Sequence, residues 1–166
     1  MIAVVLIVCA LVALDQVTKY IAVTRLLPIE SMTVVPGVLD FTFVKNTGAA
    51  FGILEGQRWF FVLLTIVIGV GIFYALKKMP KNFHYNLVRF SLILVLSGAV
   101  GNAIDRLIRG FVVDFLEVTF ISWPVFNVAD IYVVIGSVLL AYLLIFVIKD
   151  EPGKKEGAKA ETRENE

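Results

Sequence analysis

The amino-acid sequence predicts an α-helical integral membrane protein with four transmembrane helices and a small β-structured platform at one membrane face. Three observations lead there. Of 166 residues, 59% are hydrophobic and 17% charged, whereas a soluble domain is about half apolar and a quarter charged. The apolar excess is gathered into runs, since residues 59–76, 90–104 and 131–148 carry no charge. The formal net charge is only +1, too small for the long-range field that draws in a charged polymer. A disordered chain, a nucleic-acid binder with a basic face and an ordinary cytosolic α/β enzyme are thereby excluded. One cysteine, Cys9, and one histidine, His84, leave no intrachain disulfide and no zinc cluster of the usual Cys/His type.

A helix crossing the hydrocarbon core needs about 20 mostly apolar residues, and four stretches qualify. The first covers residues 2–22 and has to carry Asp15, Gln16 and Lys19 with it. It has no Lys or Arg in front and no Ala-x-Ala sequence behind, and Val8, not a small residue, precedes Cys9. A retained span is therefore expected, not a cleaved signal peptide or a lipid-attachment segment. The second span, 59–76, is led by Trp59, a residue type that anchors at the interface. The third, 86–104, has Arg89 near its start and Asn102 near its end, and the fourth, 128–148, carries a lone acid, Asp130, in its first turn.

Lys and Arg in short loops set the orientation. Lys77, Lys78 and Lys81 lie between spans two and three, with Arg89 at the entry of the third, whereas Lys45, Arg58, Arg106 and Arg109 share the other two loops with acids. The bias places the Lys77 loop and both termini in the cytoplasm. Residues 151–166 mix both signs and read as a disordered cytoplasmic tail, leaving residues 1–150 as a single membrane domain. Outside, residues 31–54 are rich in Val, Phe and Thr, with a turn signal at Pro36-Gly37. Residues 33–35 and 39–44 read as short strands of a β-platform. The partly apolar segment 106–126 is expected to hold an interfacial half-helix before Pro124.

Function has to be read from polar residues that a lipid setting disfavours, at roughly 2.5–3.5 kcal/mol each near a helix centre. Asp15, Asp105, Asp114 and Asp130 all fall at the outer ends of the spans or in the segments joining them. Four acids converging on one level suggest a site just inside the outer leaflet. Asp15, Thr18 and Lys19 share a helix face, and the plain reading is a neutralised ion pair that lets span one pack. A catalytic Lys19 would need a partner serine, and none is evident. Gly98, Asn102, Asp105 and Arg106 form one stripe on span three, where Asp105 and Arg106, being adjacent, need not pair with each other. A structural network is the plain reading for Asp105, while Asn102 and Arg106 suit the holding of a peptide backbone.

Asp114 is a lone acid in an apolar run, and Asp130 has Asn127 three residues before it at a helix start. By itself Asp130 reads most simply as a cap or dipole complement. As a pair the two are more telling. Carboxylates about 4 Å apart repel by roughly 4 kcal/mol at an effective dielectric near 20, enough to keep one proton on the pair near neutrality. One ionised and one protonated carboxylate is the arrangement of an aspartic protease. His-Glu-x-x-His, a serine-protease constellation and a phosphate loop are all missing from the sequence.

Five stretches carry a resemblance to a known family: Asp15-Gln16-Val17-Thr18-Lys19; residues 44–52 around Asn46-Thr47-Gly48; residues 98–106 ending Asn102-Ala103-Ile104-Asp105-Arg106; Val112-Val113-Asp114-Phe115; and Asn127-Val128-Ala129-Asp130. In order and spacing the sequence resembles the bacterial lipoprotein signal peptidases, signal peptidase II. Ser97 departs from the pattern, where the family commonly has glycine, and touches only local helix packing. The resemblance implies four transmembrane helices with an extracytoplasmic β-cradle and an interfacial half-helix in the bacterial inner membrane. It implies an aspartic endopeptidase that cuts diacylglyceryl-modified prolipoproteins just before the lipidated cysteine. Asp114 and Asp130 would be catalytic, Asn46, Asn102, Arg106 and Asn127 would line or organise the site, and Asp15, Lys19 and Asp105 would be structural support. No metal or cofactor is implied. Its partners would be prolipoproteins, membrane lipid and globomycin-type inhibitors, with no nucleic acid, and the expected state is a monomer. The small side chains of Gly48, Ala49 and Ala50 suit a lid over the bound peptide.

Two other classes stay in view. A proton-coupled transporter would place its acids at mid-membrane depth and usually repeat its halves, neither of which the sequence shows. A membrane scaffold would use polar residues only to glue helices together, leaving Asp114 and Asp130 without a purpose.

Overall fold

The computed structural model describes residues 1–48, 53–80 and 82–148. Four helices are long and apolar enough to cross a membrane: α1 (Ile2–Leu26), α2 (Arg58–Lys78), α3 (Phe83–Ile108) and α4 (Val128–Tyr142), the last continuing as a π-helical turn through Leu143–Val147. Helix α3 is central and packs against each of the other three. The first three helices outrun the expected spans because hydropathy marks the hydrocarbon thickness, whereas backbone hydrogen bonding continues into the interface. Helix α3, for example, begins where the Asn82 side chain accepts the Tyr85 N–H at 2.9 Å, a polar cap that needs no apolar run. Opposite it, Arg89 donates to the carbonyls of Leu76, Met79 and Pro80, closing the end of α2.

Helix α1 is built inside out. Its buried residues are Asp15, Lys19, Ala22 and Leu26, one stripe at helical spacing, while Leu6, Leu14, Val17 and Ile21 are exposed. With lipid outside and a polar cluster inside, apolar residues face outward and charges face the bundle. Helix α3 meets α4 and α1 closely. A Cβ on Gly98 would lie 2.3 Å from the Ala129 carbonyl oxygen, and one on Gly101 would lie 2.5 Å from Asp15 Oδ2. Small residues here let the backbones meet.

Strands β1 (Ser31–Val35), β2 (Leu39–Asn46) and β3 (Val112–Val118) form one antiparallel sheet in that order. β1 and β2 are a hairpin turning at Gly37, whose φ of +72° suits glycine. β2 and β3 pair with Val44 opposite Asp114 and Asn46 opposite Val112. Beneath the sheet, Val113 and Phe115 pack on Ala22 and Leu26 of α1, with Phe41 edge-on to Phe115 at 6.2 Å. The two expected strands are therefore present, but the segment expected to hold a half-helix is β3 followed by turns. It pairs because β2 presents a free edge, and Phe126 then bridges back to Leu116. The lid residues Ala49 and Ala50, and the tail 151–166, lie outside the described residues.

The Gly98 contact yields a test. Gly98→Ala has to push α4 away from α3 and should cost about 1–3 kcal/mol, read as a lower melting temperature in detergent. Gly71→Ala, with nothing within 4 Å of the added methyl, should leave the melting temperature unchanged.

Candidate active site

Strand alternation aims Asp114. Val113 and Phe115 enter the core beneath the sheet, so Val112 and Asp114 point to the opposite face. Helix capping aims Asp130. Asn127 precedes α4, its Oδ1 accepts the Asp130 N–H at 3.1 Å, and Asp130 Oδ2 accepts the Asn127 N–H at 3.0 Å. This is a capping box, in which a helix start holds its own acid. Both carboxyl groups line one cavity of about 490 Å³, together with Asn46, Asn102 and Arg106. Its other walls are apolar, including Trp123, Val125, Val134 and Ile135. Val134 and Ile135 are more than half exposed on the lipid-facing side of α4, so the cavity reaches the bilayer.

Three asparagines organise the carboxylates, and each is held by a donor at its amide oxygen. Asn46 Oδ1 accepts the Gly48 N–H at 2.9 Å, Asn102 Oδ1 accepts Lys19 Nζ at 2.7 Å, and Asn127 Oδ1 accepts the Asp130 N–H. With their oxygens anchored, their NH2 groups face the acids. Asn46 donates to Asp114 Oδ2 at 2.8 Å, Asn127 to Asp114 Oδ1 at 2.6 Å, and Asn102 to Asp130 Oδ1 at 2.8 Å. Each of the four carboxylate oxygens thus receives one protein donor. Asp114 is 2% exposed; burial and then the nearby Asp130 charge push its carboxyl up to about 6, against the lowering pull of Asn46, Asn127 and Lys19.

A layer of charge lies behind them. Lys19 and Asp15 pair at 3.0 Å, as their spacing on one helix face suggests, but Lys19 also meets Asp105 at 3.2 Å. Asp105 pairs with Arg109 and accepts the Val113 N–H at 3.1 Å, while Asp15 accepts the Ala129 N–H at 3.0 Å. Arg106 points elsewhere, donating to the Gly48 carbonyl at 2.7 Å with its guanidinium 4.4 Å above the Phe61 ring. Its Nε is buried without a partner among the described residues. Asn102, expected to line or organise the site, lines the cavity and donates its amide to Asp130. Thr18 shares the Asp15 face but donates back to the Asp15 carbonyl at 2.7 Å. Sequence reasoning passed over Gln16, which ties Asp15 to the Gly101 carbonyl, and the pairing of Arg109 with Asp105. The four-residue spacing of Asp105 and Arg109 was the available signal for the second.

Comparison with known proteins shows the family. A family model described as signal peptidase (SPase) II matches residues 7–146. The lipoprotein signal peptidase of Caldanaerobacter subterraneus is 44% identical over 142 residues, covering 86% of this chain and 95% of that protein. Those of Brevibacillus brevis and Enterococcus faecalis are 44% and 42% identical, covering 90% and 89% of this chain and 96% and 88% of those proteins. A solved bacterial membrane enzyme superposes with a TM-score of 0.79 at 35% identity, over 92% of this chain and 93% of that one.

Asn46 donates to the ionised form of Asp114, so losing that donor favours the proton. Asn46→Ala should raise the proton affinity of Asp114 roughly tenfold, moving its midpoint upward from about 6. Infrared titration of the carboxyl stretch, with Asp114→Asn to assign the band, measures it.

Proposed function

The chain belongs to the signal peptidase II family, and from that premise we propose that it removes the signal peptides of diacylglyceryl-modified prolipoproteins as an aspartic endopeptidase. The supporting observation is the pair Asp114 and Asp130, brought from a strand and a helix to one cavity with every oxygen oriented by a protein donor. The cluster around them holds three cations, Lys19, Arg106 and Arg109, and four acids, Asp15, Asp105, Asp114 and Asp130. A single proton on the dyad brings it to neutrality, the form a low-dielectric site favours.

Burial and the Asp130 charge raise the Asp114 carboxyl to about 6, so below that pH Asp114 is the member that carries the proton. Asp130 then takes a proton from water as the water attacks the scissile carbonyl, and Asp114 protonates the carbonyl oxygen. The proton held by Asp130 passes to the leaving amide nitrogen as the tetrahedral diol collapses to the acid, and one diol hydroxyl returns its proton to Asp114, so the dyad is reset and no covalent acyl-enzyme forms. Arg106, with its buried Nε, and Asn46 and Asn127, which hold Asp114, bound the peptide. Asp15, Lys19 and Asp105 support them from behind.

Cleavage just before the lipidated cysteine suits this shape, because the cavity opens to lipid along Val134 and Ile135 and the acyl chains need not leave the bilayer. Globomycin-type inhibitors would compete for the same cavity. The basic α2–α3 turn, with Lys77 and Lys78, is assigned to the cytoplasmic side of the bacterial inner membrane. Both termini share that side, and the site then sits near the outer leaflet. The domain, residues 1–150, works as a monomer.

Asp114→Asn and Asp130→Asn should each lower kcat/KM at least about 10³-fold on a lipidated prolipoprotein followed by gel shift, while the folded protein persists. Wild-type cutting by either variant removes the dyad. Because the carboxyl of Asp114 is raised, its proton is present at low pH and lost upward through about 6. The alkaline limb of kcat/KM should report that loss.

A further inference from the structure

Lys19 takes no part in the proposed water attack, yet it is fully buried and its ammonium meets three acceptors. They come from two helices: Asp15 Oδ2 at 3.0 Å, Asp105 Oδ2 at 3.2 Å and Asn102 Oδ1 at 2.7 Å. An ammonium has three N–H donors, so the set is complete. We infer that Lys19 is the positioning residue of the dyad: it orients the Asn102 amide toward Asp130 and steadies the two carboxylates that grip the backbone just ahead of each catalytic aspartate. This deepens the reading of Asp114 and Asp130 as the dyad and rests on it.

Two features carry the inference. Asp15 holds the N–H of Ala129, the residue before Asp130, and Asp105 holds the N–H of Val113, the residue before Asp114. One cation thus sits between two carboxylates that set the register of α4 and β3. Both are fully buried, and without the ammonium they would be like charges sharing a dry site. The other feature is the amide. Asn102 donates to Asp130 only while its oxygen faces away from it, and the charge-assisted bond from Lys19 is the shorter of the two that hold the oxygen, the other being Asn127 Nδ2 at 3.2 Å. An inverted amide would turn an acceptor toward the carboxylate meant to take a proton from water.

The charged groups around Lys19 are Asp15 on its own helix, Asp105 on α3 with Arg109 on its other oxygen, and Asp114 on β3, whose carboxyl senses the ammonium. Removing Lys19 together with one acid therefore keeps the cluster balanced. In Lys19→Met/Asp15→Asn the new amide oxygen can still accept the Ala129 N–H, and Asp105 keeps Arg109.

The test compares this variant with wild type, Asn102→Ala and the combined variant on a lipidated prolipoprotein, with melting temperatures in detergent. The expected result is a fall in kcat of roughly 100-fold with KM within about threefold. The combined variant should be no slower than Asn102→Ala, because both changes remove one function. A wild-type kcat, losses that multiply, or a charge-balanced variant that does not fold would each overturn the inference, the last by assigning Lys19 to folding. Cleavage by wild type and its loss in Asp130→Asn check the underlying reading separately.

Discussion

The bundle depends on a charge cluster that lipid forbids to dissolve. Lys19, Asp15 and Asp105 are each fully buried, and removing one partner from a buried pair leaves an uncompensated charge, at about 3–5 kcal/mol. The cost ties α1 to α3 through Lys19, α1 to α4 through Asp15, and α3 to β3 through Asp105. Apolar side chains do not supply this specificity between spans, since lipid tails are as apolar as leucine. The polar interior instead dictates which faces meet, and Gly98 and Gly101 let them approach closely enough for side chains to bond backbone.

On this frame, the proposed dyad is held by geometry of two kinds. Asp130 belongs to a helix start, so its position follows from the capping box with Asn127. Asp114 belongs to a strand, so its position follows from the pairing of β3 with β2, which places Asn46 within reach. The difference is chemical as well as structural. Asp130 has a backbone N–H and the Asn102 amide at a helix start, whereas Asp114 has two side-chain amides in a buried setting. Two identical side chains in one cavity thereby sit in unlike surroundings.

The cavity joins that polar end to an apolar one. Asn46, Asn102 and Arg106 surround the carboxyl groups, and Val134 and Ile135 on α4 are open to the bilayer. The proposed substrate, with a peptide part and a lipid part, would meet both ends without either leaving its preferred surroundings. The exposed Trp123 also lines the cavity, and it is of a type that sits at the headgroup level.

By itself the sequence determined the membrane class, the four spans and the residues worth watching, because each signal is local. Span length is set by hydrocarbon thickness, Asp15 and Lys19 pair by helical spacing, and Asn127 with Asp130 announces a helix start. Five motifs in order also indicated the family that the comparisons show. The tertiary structure decided what depends on contacts between distant segments. Residues 112–118 became a strand because β2 offered an edge, not because their own composition required it. Lys19 gained Asp105 and Asn102, and Asn102 was committed to Asp130, only once α1, α3 and α4 had packed. No periodicity encodes where an amide will point, since its orientation is chosen by partners that are far away in the chain and near only after folding.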